Sequence, residues 1–97
     1  MAAYVIARVE VTDPVRYQEY IKATPAAIAR YSGKFIIRGG ELVTLEGPTE
    51  TRRLVVIEFP TLELAKAFYH SEEYRQAKAL RAGAAVGQFI AVQGVAT

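Results

Sequence analysis

The sequence predicts an α+β fold in the order β-α-β-β-α-β, a four-stranded antiparallel sheet with two helices on one face. Three observations predict it. The chain has 97 residues, enough for a single domain over 1–97 and no more. Two stretches, Tyr4–Val11 and Arg53–Phe59, alternate in side-chain character with period two. Apolar residues also recur every three or four positions in two separate stretches, one after each of these strands.

The first strand places Val5, Ala7, Val9 and Val11 on one side and Tyr4, Ile6, Arg8 and Glu10 on the other. Asp13 is suited to cap a helix, because its carboxylate accepts free backbone N–H groups, and Pro14 suits the first helical position, which needs no donor. Tyr17, Tyr20, Ile21, Thr24, Ile28 and Tyr31 then mark the apolar stripe. Pro25 lies inside it and predicts a kink or split near Ala23. Gly33 is the expected left-handed residue that ends the helix.

Phe35–Arg38 is a short second strand, bent or bulged by Gly39-Gly40 and continued by Leu42–Leu45. In the third strand Arg53, Val55, Ile57 and Phe59 face one way, and Leu54, Val56 and Glu58 the other. Thr61 caps a second helix with Leu64, Ala65, Phe68 and Tyr69 on its apolar side. Ser71-Glu72-Glu73 restarts or kinks it, and Gly83 stops it. Gln88–Val95 is the last strand. This order is the ferredoxin-like split βαβ arrangement.

Composition narrows the chemistry. There is no Cys, no Trp and one His, so disulfides, thiolate nucleophiles and cysteine-ligated metal centres are excluded. Lys and Arg number 12 against 10 Asp and Glu, with no cationic run beyond Arg52-Arg53, so no nucleic-acid partner is expected. The third strand echoes an RNA-recognition strand but carries aliphatic residues where exposed aromatics would stack on bases. No stretch is apolar and long enough for a membrane, and the N-terminus has no export signal, so a cytoplasmic location is expected. No cofactor is expected. The single His lacks a supporting partner for haem, no glycine-rich strand-helix turn serves a dinucleotide, and Glu10, Glu58 and His70 are not at metal-ligand spacing.

Two helices cover one sheet face. The other receives Tyr4, Ile6, Arg8, Leu54, Val56 and Glu58, with part of the set Phe35, Ile37, Ile90 and Val92, and Arg38 is a further candidate for it. Covering such side chains is worth roughly 1.5–3 kcal/mol each. The expectation is a homodimer through this open face. The plainest role for its charges is an Arg8–Glu58 ion pair in the interface; the functional alternative is a polar patch in a small-molecule pocket.

The ordered set Asp13, Tyr17 and Tyr20, then Tyr31-Ser32-Gly33-Lys34-Phe35, Arg38-Gly39-Gly40, Leu45-Glu46-Gly47, Val56-Ile57-Glu58-Phe59-Pro60, and Ala65, Tyr69, Ser71 and Tyr74 through Arg81, resembles the bacterial domain-of-unknown-function family 1330 of the dimeric α/β-barrel superfamily. The resemblance spans nearly the whole chain. It implies a ferredoxin-like protomer, a homodimeric α/β barrel, and no established activity. The wider superfamily holds cofactor-independent monooxygenases, haem-degrading enzymes, small isomerases and stress-responsive dimers, so the fold does not decide the chemistry. Where this chain has His70 the family often has Asn, and Tyr4 and Phe68 stand in regions where Trp is common.

The candidate catalytic residues are Glu58 and His70. Glu58 is a carboxylate in an otherwise aliphatic stretch of strand, and His70 is the one side chain that ordinarily titrates near neutrality. Arg8, Arg38, Tyr69 and Tyr74 are the candidate substrate-binding residues: guanidinium groups for an anion, phenols for a carbonyl or carboxylate oxygen. Arg81, on the last helix, is placed to neutralise a ligand carboxylate, with a solvated helix-end cation as the plain alternative. Two functional readings stand. One is a homodimeric small-molecule pocket protein, in its active form a cofactor-independent enzyme on a small carbonyl or phenolic compound. The other is a non-enzymatic binding or stress-related dimer whose polar residues serve the interface. An enclosed cavity at the sheet–helix junction, with at least two of the named side chains inside, favours the first.

Overall fold

The computed structural model describes residues 1–96. Its elements are β1 (Ala3–Val11), α1 (Pro14–Arg30), β2 (Lys34–Arg38), β3 (Arg53–Phe59), α2 (Leu62–Tyr69), α3 (Glu72–Leu80) and β4 (Ala85–Gln93). The strands form one antiparallel sheet in the order β2-β3-β1-β4. This is the expected ferredoxin-like topology, with three helices in place of two. The break falls at the anticipated residue: the Ser71 hydroxyl donates to the Phe68 carbonyl at 2.7 Å and accepts from the Tyr74 N–H at 3.0 Å, ending α2 and starting α3.

The alternation in β1 and β3 has the expected sense. Ala3, Val5, Ala7 and Val9 pack under the helices with Val55, Ile57 and Phe59, against Tyr17, Tyr20, Ile28, Phe68 and Tyr74. The molecule measures 36 × 35 × 17 Å, the depth of one sheet and one helix layer, so the far face of the sheet is uncovered in the protomer. That face carries Ile6, Leu54 and Val56 at its centre. Ile37, Ile90 and Val92 lie towards its edges and are each 42–45 % exposed. Phe35 turns to the helix side instead and packs on the core.

Four local expectations are corrected. Helix α1 is continuous through Pro25, so of the expected kink or split the split does not occur. The proline leaves the Ile21 carbonyl without its helical N–H, and two side chains replace that donor, the Thr24 hydroxyl and Arg38 Nη2, each at 3.3 Å. The left-handed residue after α1 is Ser32 (φ 64°), not Gly33. The Ser32 N–H donates to the Ala29 carbonyl and the Gly33 N–H to that of Ile28, a paired closure that puts the positive φ one residue earlier. Gly33 is required for another reason: a Cβ there would sit 2.6 Å from the Phe59 ring. The bulge in β2 falls between Phe35 and Ile37, ahead of the glycines, and Leu42–Leu45 is not a strand. Finally, β4 begins at Ala85 and ends at Gln93, because it pairs with β1 along that strand's whole length from Val11 back to Ala3.

Candidate functional site

The six predicted site residues fall into three groups. Arg8 and Glu58 lie on the open sheet face, as expected, but they do not pair. Arg8 stands opposite Leu54 and Glu58 opposite Tyr4, four residues apart along the strands and so about 13 Å. Arg8 Nε instead meets Glu50 at 3.3 Å. Glu58 accepts a hydrogen bond from the Tyr4 hydroxyl at 3.2 Å and pairs with Lys34 at 3.2 Å. Glu50 also accepts from the Arg52 guanidinium at 3.1 Å, and its own N–H donates to Thr44, which ties the loop before β3 to the sheet.

Tyr69 and His70 form the second group, at the end of α2. They flank a hollow of about 140 Å³ between α2 and β4 that Val5, Phe89 and Ile90 also line. The His70 ring stands edge-on to Tyr69, 5.5 Å away, and Lys78 lies over the other ring at 5.1 Å. His70 is exposed, and its backbone N–H closes α2 on the Lys66 carbonyl.

Arg38 and Tyr74 make the third group. Arg38 is not on the open face. It pairs with Val55, reaches across to α1, and lies 4.2 Å over the Phe35 ring. It borders a cavity of about 30 Å³ between the sheet and helices α1 and α3, which Tyr17, Tyr20, Tyr74 and Arg53 also line. Each side chain is placed by local sequence. The helical spacing of Tyr17 and Tyr20 turns both rings to the sheet, 5.2 Å apart. The Ser71 cap sets the first turn of α3, from which Tyr74, 1 % exposed, meets the Tyr20 hydroxyl at 2.8 Å. Arg81 closes α3 and is only 8 % exposed. Its guanidinium sits 4.8 Å from the Phe89 centroid and 5.6 Å from that of Tyr20, and both rings line the cavity.

Burial pushes the Tyr20 phenol well up, with the neighbouring Tyr74 adding to the effect. Burial raises Tyr17 as well, against the opposing pull of Arg53 and Arg81. These two phenols therefore stay protonated at physiological pH and act as hydrogen-bond donors rather than bases. Neither Asp, Glu nor His lines the cavity among the described residues. What the arrangement can do is hold an oxygen atom that carries negative charge, by phenol O–H and guanidinium N–H. The described residues contain no cluster of three His, Asp or Glu that would hold a metal ion.

Arg53 is the residue that the sequence reading left without a role. It occupies the strand position whose parity faces the core with Val55, Ile57 and Phe59, and that parity was the available signal: a cation at a core-facing position needs an explanation. Its guanidinium lies 5.9 Å from the Tyr17 centroid and against the backbone of Gly39, where a Cβ would overlap it. It also lines a second, wider groove of about 420 Å³ bounded by Gln18, Gly39, Gly40 and Thr51, which shares Tyr17, Ile21 and Arg53 with the inner cavity.

The comparisons with known proteins follow the same architecture. The model of a family described as a domain of unknown function, DUF1330, matches residues 2–95. No curated protein matches the sequence. Among solved structures, a protein of unknown function from Rhodopseudomonas palustris superposes with a TM-score of 0.76 at 20 % identity, over 99 % of this chain and 84 % of that one. SnoaB from Streptomyces nogalater, a cofactor-independent oxygenase, gives 0.69 at 11 % identity, over 99 % and 95 %. A dimeric ferredoxin-like protein of unknown function from Bacteroides fragilis gives 0.64 at 18 %, over 96 % of each chain. At these identities the likeness is one of fold.

Proposed function

The chain belongs to the DUF1330 family, and from that premise we propose that it is a homodimeric binding protein whose protomers each take one small carbonyl or phenolic compound, its oxygen in the cavity between the sheet and α1/α3 and its body in the adjoining groove. One observation carries the reading. A sheet–helix cavity in a small domain is lined by three tyrosines, two of them joined hydroxyl to hydroxyl, and bordered by arginine side chains. A few polar groups set in apolar walls are the make-up of a small-molecule site. Arg38 and Tyr74 of the six predicted residues belong to this site. Held against phenol donors and guanidinium groups, an enolate or phenolate oxygen is stabilised, which is the step a cofactor-independent enzyme on such compounds needs. A proton-moving role for Glu58 or His70 requires a ligand that reaches beyond the cavity, to the open face or to the α2–β4 hollow.

The open face supports the dimer. It is apolar at the centre, and it carries both charge signs, Arg8 and Lys34 with Glu58 and Glu10, so that a two-fold axis matches it to itself. The SnoaB likeness supports the fold on which such a site is built.

A thermal-shift series with small ketones, 1,3-diketones, phenols and naphthols tests the pocket. A ligand at one hundred times its dissociation constant stabilises the native state by about 2.7 kcal/mol. For the best compound we expect a rise in Tm that is lost in Tyr20→Phe/Tyr74→Phe. If no compound raises Tm, the pocket reading falls.

A further inference from the structure

Three arginines around the cavity lack carboxylate partners. The ion pairs among the described residues engage Arg8, Arg30, Arg52 and Arg75, and none engages Arg38, Arg53 or Arg81. The Nε atoms of Arg53 and Arg81 are moreover buried without any hydrogen-bond partner. Arg81 is buried, Arg53 half-buried and Arg38 exposed at the cavity's edge. A cation removed from water is costly unless an anion offsets it, so the unpaired Arg53 and Arg81 guanidinium groups leave a deficit of negative charge beside the tyrosine-lined cavity. Four carboxylates are committed elsewhere, Glu50 to Arg8 and Arg52, Glu58 to Lys34, Glu73 to Arg30 and Glu72 to Arg75, and among the described residues no Asp or Glu lines the cavity or the groove beside it.

We propose that the missing anion belongs to the ligand, and that the site selects a small organic carboxylate whose charged head lies at the junction of the inner cavity and the outer groove, between Arg53 and Tyr17. Three features fix this placement. Arg53 and Tyr17 line both spaces. The inner cavity, at about 30 Å³, has room for a group the size of roughly two waters, which suits a carboxylate and not a ring. The outer groove, at about 420 Å³, falls in the range of small-molecule sites and takes the body of the molecule over Gly40, which has open space above it, beside the Arg53 guanidinium that rests on Gly39. Arginine matches a planar carboxylate with a fork of parallel N–H donors, and the protonated Tyr17 hydroxyl adds a neutral one. This inference rests on the pocket reading above and adds the charge of its ligand.

The test pairs each acid with its neutral amide: benzoate with benzamide, and 2-hydroxybenzoate with 2-hydroxybenzamide, titrated by heteronuclear NMR and calorimetry at pH 7. We expect the acids to bind at least tenfold more tightly than the amides, with the largest amide shifts at Gly39, Gly40 and Arg53. Arg53→Gln should abolish the preference, and Arg75→Gln, on the exposed side of α3, should leave it intact. If acids and amides bind equally at this site, the charge proposal is overturned and the pocket stands. If neither member of either pair perturbs these residues, both fall. Should Arg53→Gln fail to fold, the wild-type acid-to-amide ratio and the shift map decide alone.

Discussion

Ser32 and Gly33 show how the two ends of one turn divide the conformational work. Ser32 holds the positive φ, which costs a residue with a Cβ about 1–2 kcal/mol relative to the right-handed region. Gly33 gives up its side chain to let the Phe59 ring approach. Ser32→Gly is therefore expected to stabilise the fold, by about 0.5–1 kcal/mol once the greater freedom of glycine in the unfolded chain is subtracted. Gly33→Ala is expected to cost about 1–3 kcal/mol, because Phe59 is fully buried and cannot yield. Urea unfolding of both variants reads the opposite signs, and a common sign would refute the assignment. Glu50 supplies a pH dependence at the same scale. Hydrogen bonds from the Arg52 side chain and backbone, with Arg8 adding charge, hold its carboxyl at about 2, against an ordinary 4.5. A depressed carboxyl contributes stability that is complete above the ordinary value and lost as pH falls towards the folded one. The stability difference between wild type and Glu50→Gln should accordingly shrink between pH 4.5 and 2 and stay level above pH 5. A difference that does not change with pH would show that this loop anchor is not ionic.

The elements were legible in the sequence where a local rule acted alone, and not where a distant partner intervened. Asp13, Thr61 and Ser71 cap their helices as their side chains dictate, and β3 runs over Arg53–Phe59 as its alternation requires. Pro25 fails as a helix breaker because Arg38, thirteen positions along the chain, meets the carbonyl that the proline frees. The Arg8–Glu58 pair fails because both residues are on the right face but the strand register sets them too far apart. Arg53 and Arg81 were visible as residues, yet their lack of partners depends on where every carboxylate ends up in three dimensions. Ser71 is the element-scale control point. It is 8 % exposed, closes one helix and opens the next, and thereby orients Tyr74 into the cavity. Ser71→Ala removes the N-cap and is expected to cost about 1–2 kcal/mol. That loss corresponds to a fall in Tm of several degrees for a domain of this size. Ser71→Asp, which restores an acceptor for the Tyr74 N–H, should recover part of it, whereas a loss of similar size in both variants would show that packing and not capping governs the site.

At the scale of the molecule, one question governs the rest: what lies on the uncovered sheet face. A two-layer domain of 97 residues has a narrow stability margin, and the exposed Ile37, Ile90 and Val92 extend the apolar centre formed by Ile6, Leu54 and Val56 towards the sheet edges. A second copy offers the same surface in return, so that every contact is made twice and any single substitution acts on both sides of the axis. Light scattering after size exclusion should therefore report twice the 10.7 kDa chain mass at micromolar concentration. Because the dimer is linked to folding by mass action, Tm should rise with protein concentration. Ile90→Glu sets two carboxylates into the apolar face and should shift the mass towards that of one chain while leaving a folded protomer, since this side chain lies outside the helix-covered core. Leu45→Glu, on the loop after β2 and 93 % exposed, provides the comparison and should leave the mass unchanged. The cavity lies on the opposite side of the sheet from this face, so the folded Ile90→Glu monomer should still take the ligands that bind the wild type, at an affinity within a few fold. A wild-type protein that is monomeric at every concentration, or an Ile90→Glu protein that remains dimeric, would remove the open face as the seat of assembly without touching the cavity.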